Sequence, residues 1–243
     1  MYVLPHLHAE NLAAPCADTL KAQTDKRPGH TLNCIDSRAF EPTSNRPVAQ
    51  VLVVFMGDND FSKKGIYLAS AAASELSKRL NASTVTLQKS QSAKLPSQSL
   101  GNARVASNFY PVEEVAGVAG ELNRLRSLHA GKKILLIGHA RGAAVAAQLL
   151  GLFPESADAY LLVGCPCDQT QSATVKATTR ISLLVGSHDD NTPASFSETY
   201  VAGLRTQGVK TRLTYAVGAT HVSVLRSPEF FMLAEQLAAT LAP

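Results

Sequence analysis

Three short stretches of the chain carry side chains that could do chemistry together. The first is the pentapeptide Gly138-His139-Ala140-Arg141-Gly142, which lies between an apolar run and an alanine-rich segment. A strand, a tight glycine turn and a helix in this order are typical of a nucleophile elbow, whose central residue is the serine of a Gly-x-Ser-x-Gly motif. Here the central residue is Ala140, and a methyl group can neither attack a carbonyl carbon nor give up a proton.

The other two stretches supply an acid and a base. Asp189 follows the apolar run at 181–185, and His221 follows the apolar run at 213–217. In an open parallel sheet, functional sites form at the carboxyl ends of the strands. We therefore expect both side chains to lie beside the elbow.

The elements that must position these residues alternate along the chain. The apolar patterns predict strands at 50–56, 83–87, 134–137, 160–163, 181–185 and 213–217, and helices at 65–80, 111–130, 141–153, 195–206 and 228–241. This alternation predicts an α/β fold with a mostly parallel, doubly wound sheet flanked by helices. We expect one domain at 47–243, with an irregular N-terminal segment at 1–46 that packs on it or leads into it and holds at most a short strand around 30–36.

Composition narrows the class of protein. Of the 243 residues, 45% are hydrophobic and 17% are charged, which is typical of a folded domain with a large core. The net charge is +4 and the basic residues are scattered along the sequence, so we expect no nucleic-acid partner. No apolar run approaches the roughly 18 residues of a membrane span. The histidines lack a paired spacing such as His-x-x-x-His, so we expect no metal and no cofactor.

The N-terminus and the four cysteines leave the compartment open. Residues 1–6 lack the basic head and apolar middle of a secretory signal, which fits a cytoplasmic protein or an exported one whose signal has been removed. A bond between Cys16 and Cys34 would stabilise the chain by about 3 kcal/mol in an oxidising compartment, and both stay thiols in a reducing one. Cys165 and Cys167 lack the two-residue gap of zinc and thioredoxin motifs, which favours a structural role.

From about residue 50 onwards the chain resembles the α/β hydrolases, and its tail is similar to that of the small dienelactone-hydrolase-like and prolyl-oligopeptidase-like members. The likeness rests on the elbow frame, on Gly-Ser-His-Asp-Asp-Asn-Thr-Pro at 186–193 and on Gly-Ala-Thr-His at 218–221. The likeness to the prolyl-oligopeptidase-like members concerns their hydrolase core alone. The chain order of Ala140, Asp189 and His221 is the family's order of nucleophile, acid and base.

The resemblance implies an acyl-transfer site of the serine-hydrolase type. A serine at position 140 would attack an acyl carbon, and His221 would take its proton and later pass it to the leaving group. Asp189 would orient the imidazole and stabilise the imidazolium. Asp190 is the rival acid, and Asp189 is preferred because it stands where the family's acid follows the strand.

The same resemblance implies an oxyanion hole made of two backbone amides. One belongs to Arg141, the residue after the nucleophile, and the other lies on the loop after the strand at 50–56, where Asp58 is the candidate. This loop departs from the family, because Met56 stands where the family has a histidine. Gly57 and Cys165 are the expected substrate-binding residues.

The surroundings of the site are expected to be open. Only residues 164–180 separate the strand after the elbow helix from the strand that bears the acid, so we expect no sizeable lid. The polar segment 88–110 is interpreted as a loop that borders the site, and a plain disordered loop explains its composition equally well. His139 and His188 are interpreted as packing or solvent-facing residues.

Two explanations of Ala140 stay open at this point. The chain is either an engineered serine-to-alanine form of a carboxylesterase or thioesterase, or a natural pseudoenzyme that binds a small molecule or a protein partner. In both cases we expect it to be inactive or nearly so as it stands, and in the first its partner is a small-molecule acyl substrate. A small serine peptidase is the alternative within the enzyme class. The acyl group and the oligomeric state have no signature in the sequence.

Overall fold

The computed structural model describes residues 35–42, 49–57, 63–89, 112–167 and 175–242. Within these residues the chain forms seven strands, five α-helices and a short 3-10 helix at Ser223–Arg226. The strands are β1 (Ile35–Phe40), β2 (Val51–Met56), β3 (Thr84–Lys89), β4 (Lys133–His139), β5 (Ala159–Val163), β6 (Arg180–Gly186) and β7 (Thr211–Ala216). The α-helices are α1 (Lys63–Leu80), α2 (Val112–Leu128), α3 (Arg141–Leu152), α4 (Ala194–Thr206) and α5 (Pro228–Leu241).

The seven strands form one sheet in the order β1-β3-β2-β4-β5-β6-β7. Strands β2 to β7 run parallel to their neighbours, and β1 pairs antiparallel with β3 at the edge. The chain passes from β2 outwards to β3 and then returns to β4 on the other side of β2. That reversal of direction is the mark of a doubly wound sheet, and the predicted fold class is therefore confirmed.

Each face of the sheet has its own hydrophobic core. All six residues of β2 are buried, and they alternate between the two faces as strand geometry requires. Leu52 and Val54 belong to the core that α2, α3 and α4 cover, whereas Val51 and Val53 belong to the core under α1 and α5. Because helices cover both faces, β2 is apolar along its whole length.

The elements predicted from residue 50 onwards lie within two residues of their observed ends. β3 extends to Lys89, so the first two residues assigned to the polar loop at 88–110 belong to a strand, and the rest of that loop lies outside the described residues. The strand expected around 30–36 lies at Ile35–Phe40 instead, where it pairs with β3. The boundary of the domain at residue 47 stays a prediction.

The turn between β4 and α3 depends on two glycines that allow backbones to touch. A Cβ at Gly142 would collide with the carbonyl oxygen of Met56, at the end of β2. A Cβ at Gly138 would lie 2.6 Å from the Cα of Ala143. Neither contact can relax by a side-chain rotation, because the opposing atoms belong to the backbone. Glycine at both positions therefore lets the helix start directly against the sheet.

Gly142→Ala is expected to lower the free energy of unfolding by about 2 kcal/mol, because overpacking a closed contact costs about 1–3 kcal/mol. The control is Gly208→Ala, where φ is +77° but no atom lies within 4 Å of the added Cβ. That variant is expected to lose about 1 kcal/mol from backbone strain alone. Urea unfolding followed by circular dichroism measures both, and a smaller loss at Gly142 than at Gly208 would show that the elbow is not tightly packed.

Candidate active site

The elbow residue has a strained backbone. Ala140 has φ 52° and ψ −113°, a conformation that residues with a Cβ rarely adopt. Its amide donates a hydrogen bond to the carbonyl of Val163 on β5 (2.9 Å), and its carbonyl accepts one from the amide of Ala144 in α3 (3.1 Å). These hydrogen bonds to the strand on one side and the helix on the other stabilise the strained backbone conformation of Ala140. Strain of this kind concentrates at functional sites.

The acid and the base meet in a buried pair. Nδ1 of His221 lies 2.9 Å from Oδ2 and 3.0 Å from Oδ1 of Asp189. The side chain of Asp189 is fully buried and that of His221 is 8% exposed. Since a carboxylate can only accept, Nδ1 carries the proton, and Nε2 is the nitrogen that could act as a base. The rival acid Asp190 is exposed, as is His188.

Hydrogen bonds keep Asp189 ionised despite its burial. Burial by itself would raise the pKa of this carboxyl group. The hydrogen bond from His221, and those from the amide and the hydroxyl of Thr192, outweigh burial and hold the pKa below its ordinary value. The amide of Asn191 also donates to Oδ1, at 3.1 Å. The site therefore contains a fixed negative charge next to an imidazole.

Thr192 is a site residue that the sequence reasoning missed. Its hydroxyl donates to Oδ2 of Asp189 (2.7 Å) and lies 3.1 Å from Nδ1 of His221, and its amide donates to Oδ1 (2.8 Å). The available signal was Asp189 followed by Asp-Asn-Thr-Pro ahead of a helix. An aspartate whose carboxylate accepts hydrogen bonds from the amides two and three residues further on forms a local turn motif. Such a motif can be recognised in a sequence.

The loops that carry the acid and the base are bonded to each other. The amide of His188 donates to the carbonyl of Ala219 (2.9 Å), and the amide of Gly218 donates to the hydroxyl of Ser187 (2.8 Å). A Cβ at Gly186 would lie 2.9 Å from the carbonyl carbon of Ala219, so this close approach requires glycine. The loop after β7 is thereby fixed on the loop after β6.

The elbow contacts the base through the residue before Ala140. Nε2 of His139 lies 2.7 Å from the carbonyl oxygen of His221. The centroids of the two imidazole rings are 4.8 Å apart, and the angle between the ring planes is 37°. Because a carbonyl only accepts, Nε2 of His139 must be the donor. His139 is buried, at 3% exposure, as the interpretation of it as a packing residue requires. This contact brings β4 and the base to one edge of the sheet.

The backbone after β5 lies against the acid–base pair. Gly164 has φ 51°, and a Cβ there would lie 3.0 Å from Oδ2 of Asp189 and 3.3 Å from Nδ1 of His221. The next residue, Cys165, forms a disulfide bond with Cys167, and both are 1% exposed. Both cysteines pack in the core that α2, α3 and α4 cover. The expectation that Cys165 contacts a substrate stays a prediction.

The expected oxyanion hole lies only partly within the described residues. Arg141 begins α3, where the first backbone amides have no acceptor within the helix. Gly57 is buried at the end of β2, next to the contact between Met56 and Gly142. Asp58, the candidate for the second amide, lies outside the described residues. Its role stays a prediction.

The described part of the chain offers neither a metal site nor a membrane-spanning helix. No group of three or more histidine, cysteine, aspartate or glutamate side chains there could hold a metal ion. None of its helices is both long enough and apolar enough to cross a membrane.

Comparison with known proteins found similar structures but no similar sequences. No family model matches the chain, and no curated protein sequence is significantly similar to it. An α/β serine hydrolase without a lid from Xanthomonas campestris is 13% identical, with a TM-score of 0.65 over 89% of this chain and 97% of its own. The dienelactone hydrolase from Anabaena variabilis is 16% identical, with a TM-score of 0.61 over 86% of this chain and 93% of its own.

A truncated carbohydrate esterase from gut microbiota gives a similar match, with 12% identity and a TM-score of 0.61 over 85% of this chain and 90% of its own. Sequence identities this low show that the fold is shared, but they do not identify the substrate of this chain. The described residues between β5 and β6, 164–167 and 175–179, contain no helix or strand that could form a lid. The chain therefore has the α/β-hydrolase fold, and its described residues between β5 and β6 form no lid.

Proposed function

We propose that this site is a serine-hydrolase site for acyl transfer from a soluble ester or thioester to water, in an inactive form because Ala140 occupies the position of the nucleophile. The observation that carries the proposal is the buried pair of Asp189 and His221 beside a strained elbow turn. A buried carboxylate costs free energy unless it is hydrogen-bonded, and here it is bonded to an imidazole. An elbow nucleophile needs such a base for activation.

With a serine at position 140, the reaction would proceed through an acyl-enzyme. The serine Oγ attacks the acyl carbon while Nε2 of His221 takes its proton, and Asp189 stabilises the imidazolium. The amide of Arg141 and an amide of the loop after β2, with Asp58 as candidate, would bind the oxyanion. The tetrahedral intermediate collapses as His221 passes the proton to the leaving oxygen or sulfur. Water, activated by the same imidazole, then hydrolyses the acyl-enzyme.

The competing proposal is a natural pseudo-hydrolase that binds a small molecule or a protein partner. The methyl group of Ala140 favours it, since binding requires no nucleophile. The intact acid–base pair favours the enzyme, because without a nucleophile His221 has no proton to move. A small serine peptidase would use the same machinery, and it ranks below an esterase because the sequence has no evident anchor for a peptide terminus.

Ala140→Ser is expected to create a protein that reacts with a fluorophosphonate probe. Intact mass spectrometry should find one adduct on this variant and none on the parent chain, because only serine offers a nucleophile. The double variant Ala140→Ser/His221→Asn keeps the serine but removes the base, and its labelling rate should fall by roughly 10³-fold.

The serine variant should also hydrolyse p-nitrophenyl esters or acyl thioesters faster than peptide anilides. Faster cleavage of the anilides would favour the peptidase. A folded Ala140→Ser protein that neither takes the label nor turns over any of these substrates would refute the hydrolase proposal and leave the pseudo-hydrolase.

Asp189→Asn tests the electrostatics of the site in the parent chain. The pKa of Asp189 is lowered on folding, so its ionised form contributes stability that is present above the unfolded pKa of about 3.9 and is lost as the pH falls through the folded pKa. We expect the variant to unfold about 2 kcal/mol more easily at pH 7 and to lose less stability than the parent below about pH 4. Urea unfolding at several pH values measures both.

The matched control for this variant is Asp190→Asn, which changes the exposed neighbouring carboxylate. It should leave the stability and its pH dependence close to those of the parent. Equal effects of the two substitutions would mean that Asp189 has no special interaction with His221.

Thr192→Val tests the hydroxyl that holds the acid, in the Ala140→Ser background. The valine keeps the shape but removes the donor to Asp189, so we expect kcat to fall about tenfold with little change in KM. Thr192→Ser keeps the hydroxyl and should retain most of the activity. If the serine variant loses as much activity as the valine variant, Thr192 acts through packing and not through its hydrogen bond.

A further inference from the structure

A cavity lies at the amino ends of the strands, whereas the acid–base pair lies at their carboxyl ends. It opens at the amino ends of β6 and β7, beside the carboxyl ends of α4 and α5, and has a volume of about 670 Å³. Four cationic side chains line it, and none of the described residues that line it is a carboxylate. The cations are Arg180, Arg205, Lys210 and Arg212. We call this feature the basic cavity.

The fold gathers these cations from separate parts of the sequence. Arg180 begins β6, and Lys210 and Arg212 flank Thr211, the first residue of β7. Strand register places Ser182 opposite Arg212, which sets the two strand ends side by side. Arg205, in the last turn of α4, donates to the carbonyl of Thr211 (3.4 Å) and so turns towards the same opening. These four basic residues are therefore close together in the fold, although basic residues are scattered along the sequence.

Several cations elsewhere in the described chain pair with carboxylates, as Arg126 does with Asp158 and Arg124 with Glu121. Among the described residues, none of the four cations of the basic cavity forms an ion pair. A cleft lined by one sign of charge concentrates its field and attracts counter-ions. The basic cavity is therefore complementary to a ligand with more than one negative charge.

The apolar residues of the basic cavity already pack in the two hydrophobic cores. Ile181 and Val209 belong to the core that α4 covers and Leu237 to the core under α5, at 3%, 2% and 7% exposure, so they offer a ligand little surface. Ser182 and Thr240 also line the basic cavity. Recognition of a ligand there depends on the exposed cations. A volume of this size is within the range of small-molecule sites, about 300–1,000 Å³.

The arginine side chains indicate which class of anion would bind in the basic cavity. Three of the four cations are arginines, whose planar guanidinium groups bind phosphate through two parallel hydrogen bonds. A phosphate monoester carries nearly two negative charges at neutral pH and offers three acceptor oxygens. We propose that the basic cavity binds a small organic phosphate ester, with its phosphate between the arginines. This site lies at the amino ends of the strands, so it does not depend on the hydrolase proposal.

The test uses 1-naphthyl phosphate, titrated by calorimetry into the full chain at pH 8. The neutral analogue 1-naphthol has the same ring without the phosphate. Arg205→Gln/Arg212→Gln removes two charges from the basic cavity, and Lys78→Gln/Arg226→Gln removes two from exposed positions elsewhere. All four substitutions are at exposed side chains, and circular dichroism checks that both variants are folded.

We expect one saturable site for the phosphate ester and none for 1-naphthol. The affinity should fall at least tenfold in Arg205→Gln/Arg212→Gln and less than twofold in the control variant. No saturable binding at millimolar ester, equal binding of 1-naphthol, or an equal loss in the two variants would each overturn the proposal.

A phospholipid headgroup shares this chemistry, so a second arm separates the two sources. Co-sedimentation with phosphatidylglycerol vesicles is compared with phosphatidylcholine vesicles, with and without 1-naphthyl phosphate. For a small-molecule site we expect no sedimentation that depends on Arg205 and Arg212. Sedimentation that depends on these arginines and that the ester does not displace would assign the surface to a membrane and overturn the small-ligand proposal.

Discussion

The buried contact between Asp189 and His221 is the interaction on which the arrangement of the site depends. An ionised carboxylate with a fully buried side chain is stable only if donors surround it, and the imidazole and Thr192 provide them. Gly164 and Gly186 leave room for this contact, since a Cβ at either would press on the acid or on the loop of the base. The sheet supplies the rigid edge from which all these loops start.

Much of the fold could be predicted because it follows from local patterns. Apolar runs such as β2, buried on both faces, identify the strands, and their alternation with amphipathic helices implies a doubly wound sheet. The pairing of Asp189 with His221 was implied by the resemblance to the α/β hydrolases, since the motifs follow the order of that family. The same resemblance favoured Asp189 over Asp190, and in the structure Asp189 is buried whereas Asp190 is exposed.

The features that escaped prediction depend on contacts between distant segments. Gly164 touches the acid only because β5 lies next to β6, and no sequence spacing records that approach. The bond between Cys165 and Cys167 has neither of the spacings used to recognise functional cysteine pairs. The basic cavity exists because register sets β7 beside β6, which brings together charges that are scattered in the sequence. Thr192 is different, since its local turn motif could have been recognised.

An acid–base pair is assembled in this chain even though the nucleophile is missing. The measurement that tests this most directly is NMR of the nitrogen-15-labelled His221 side chain in the parent chain, with Asp189→Asn for comparison. We expect a proton on Nδ1 with a strongly downfield resonance that disappears in the variant. A ring whose only proton is on Nε2, or a resonance unchanged by the substitution, would show that the pair is not assembled.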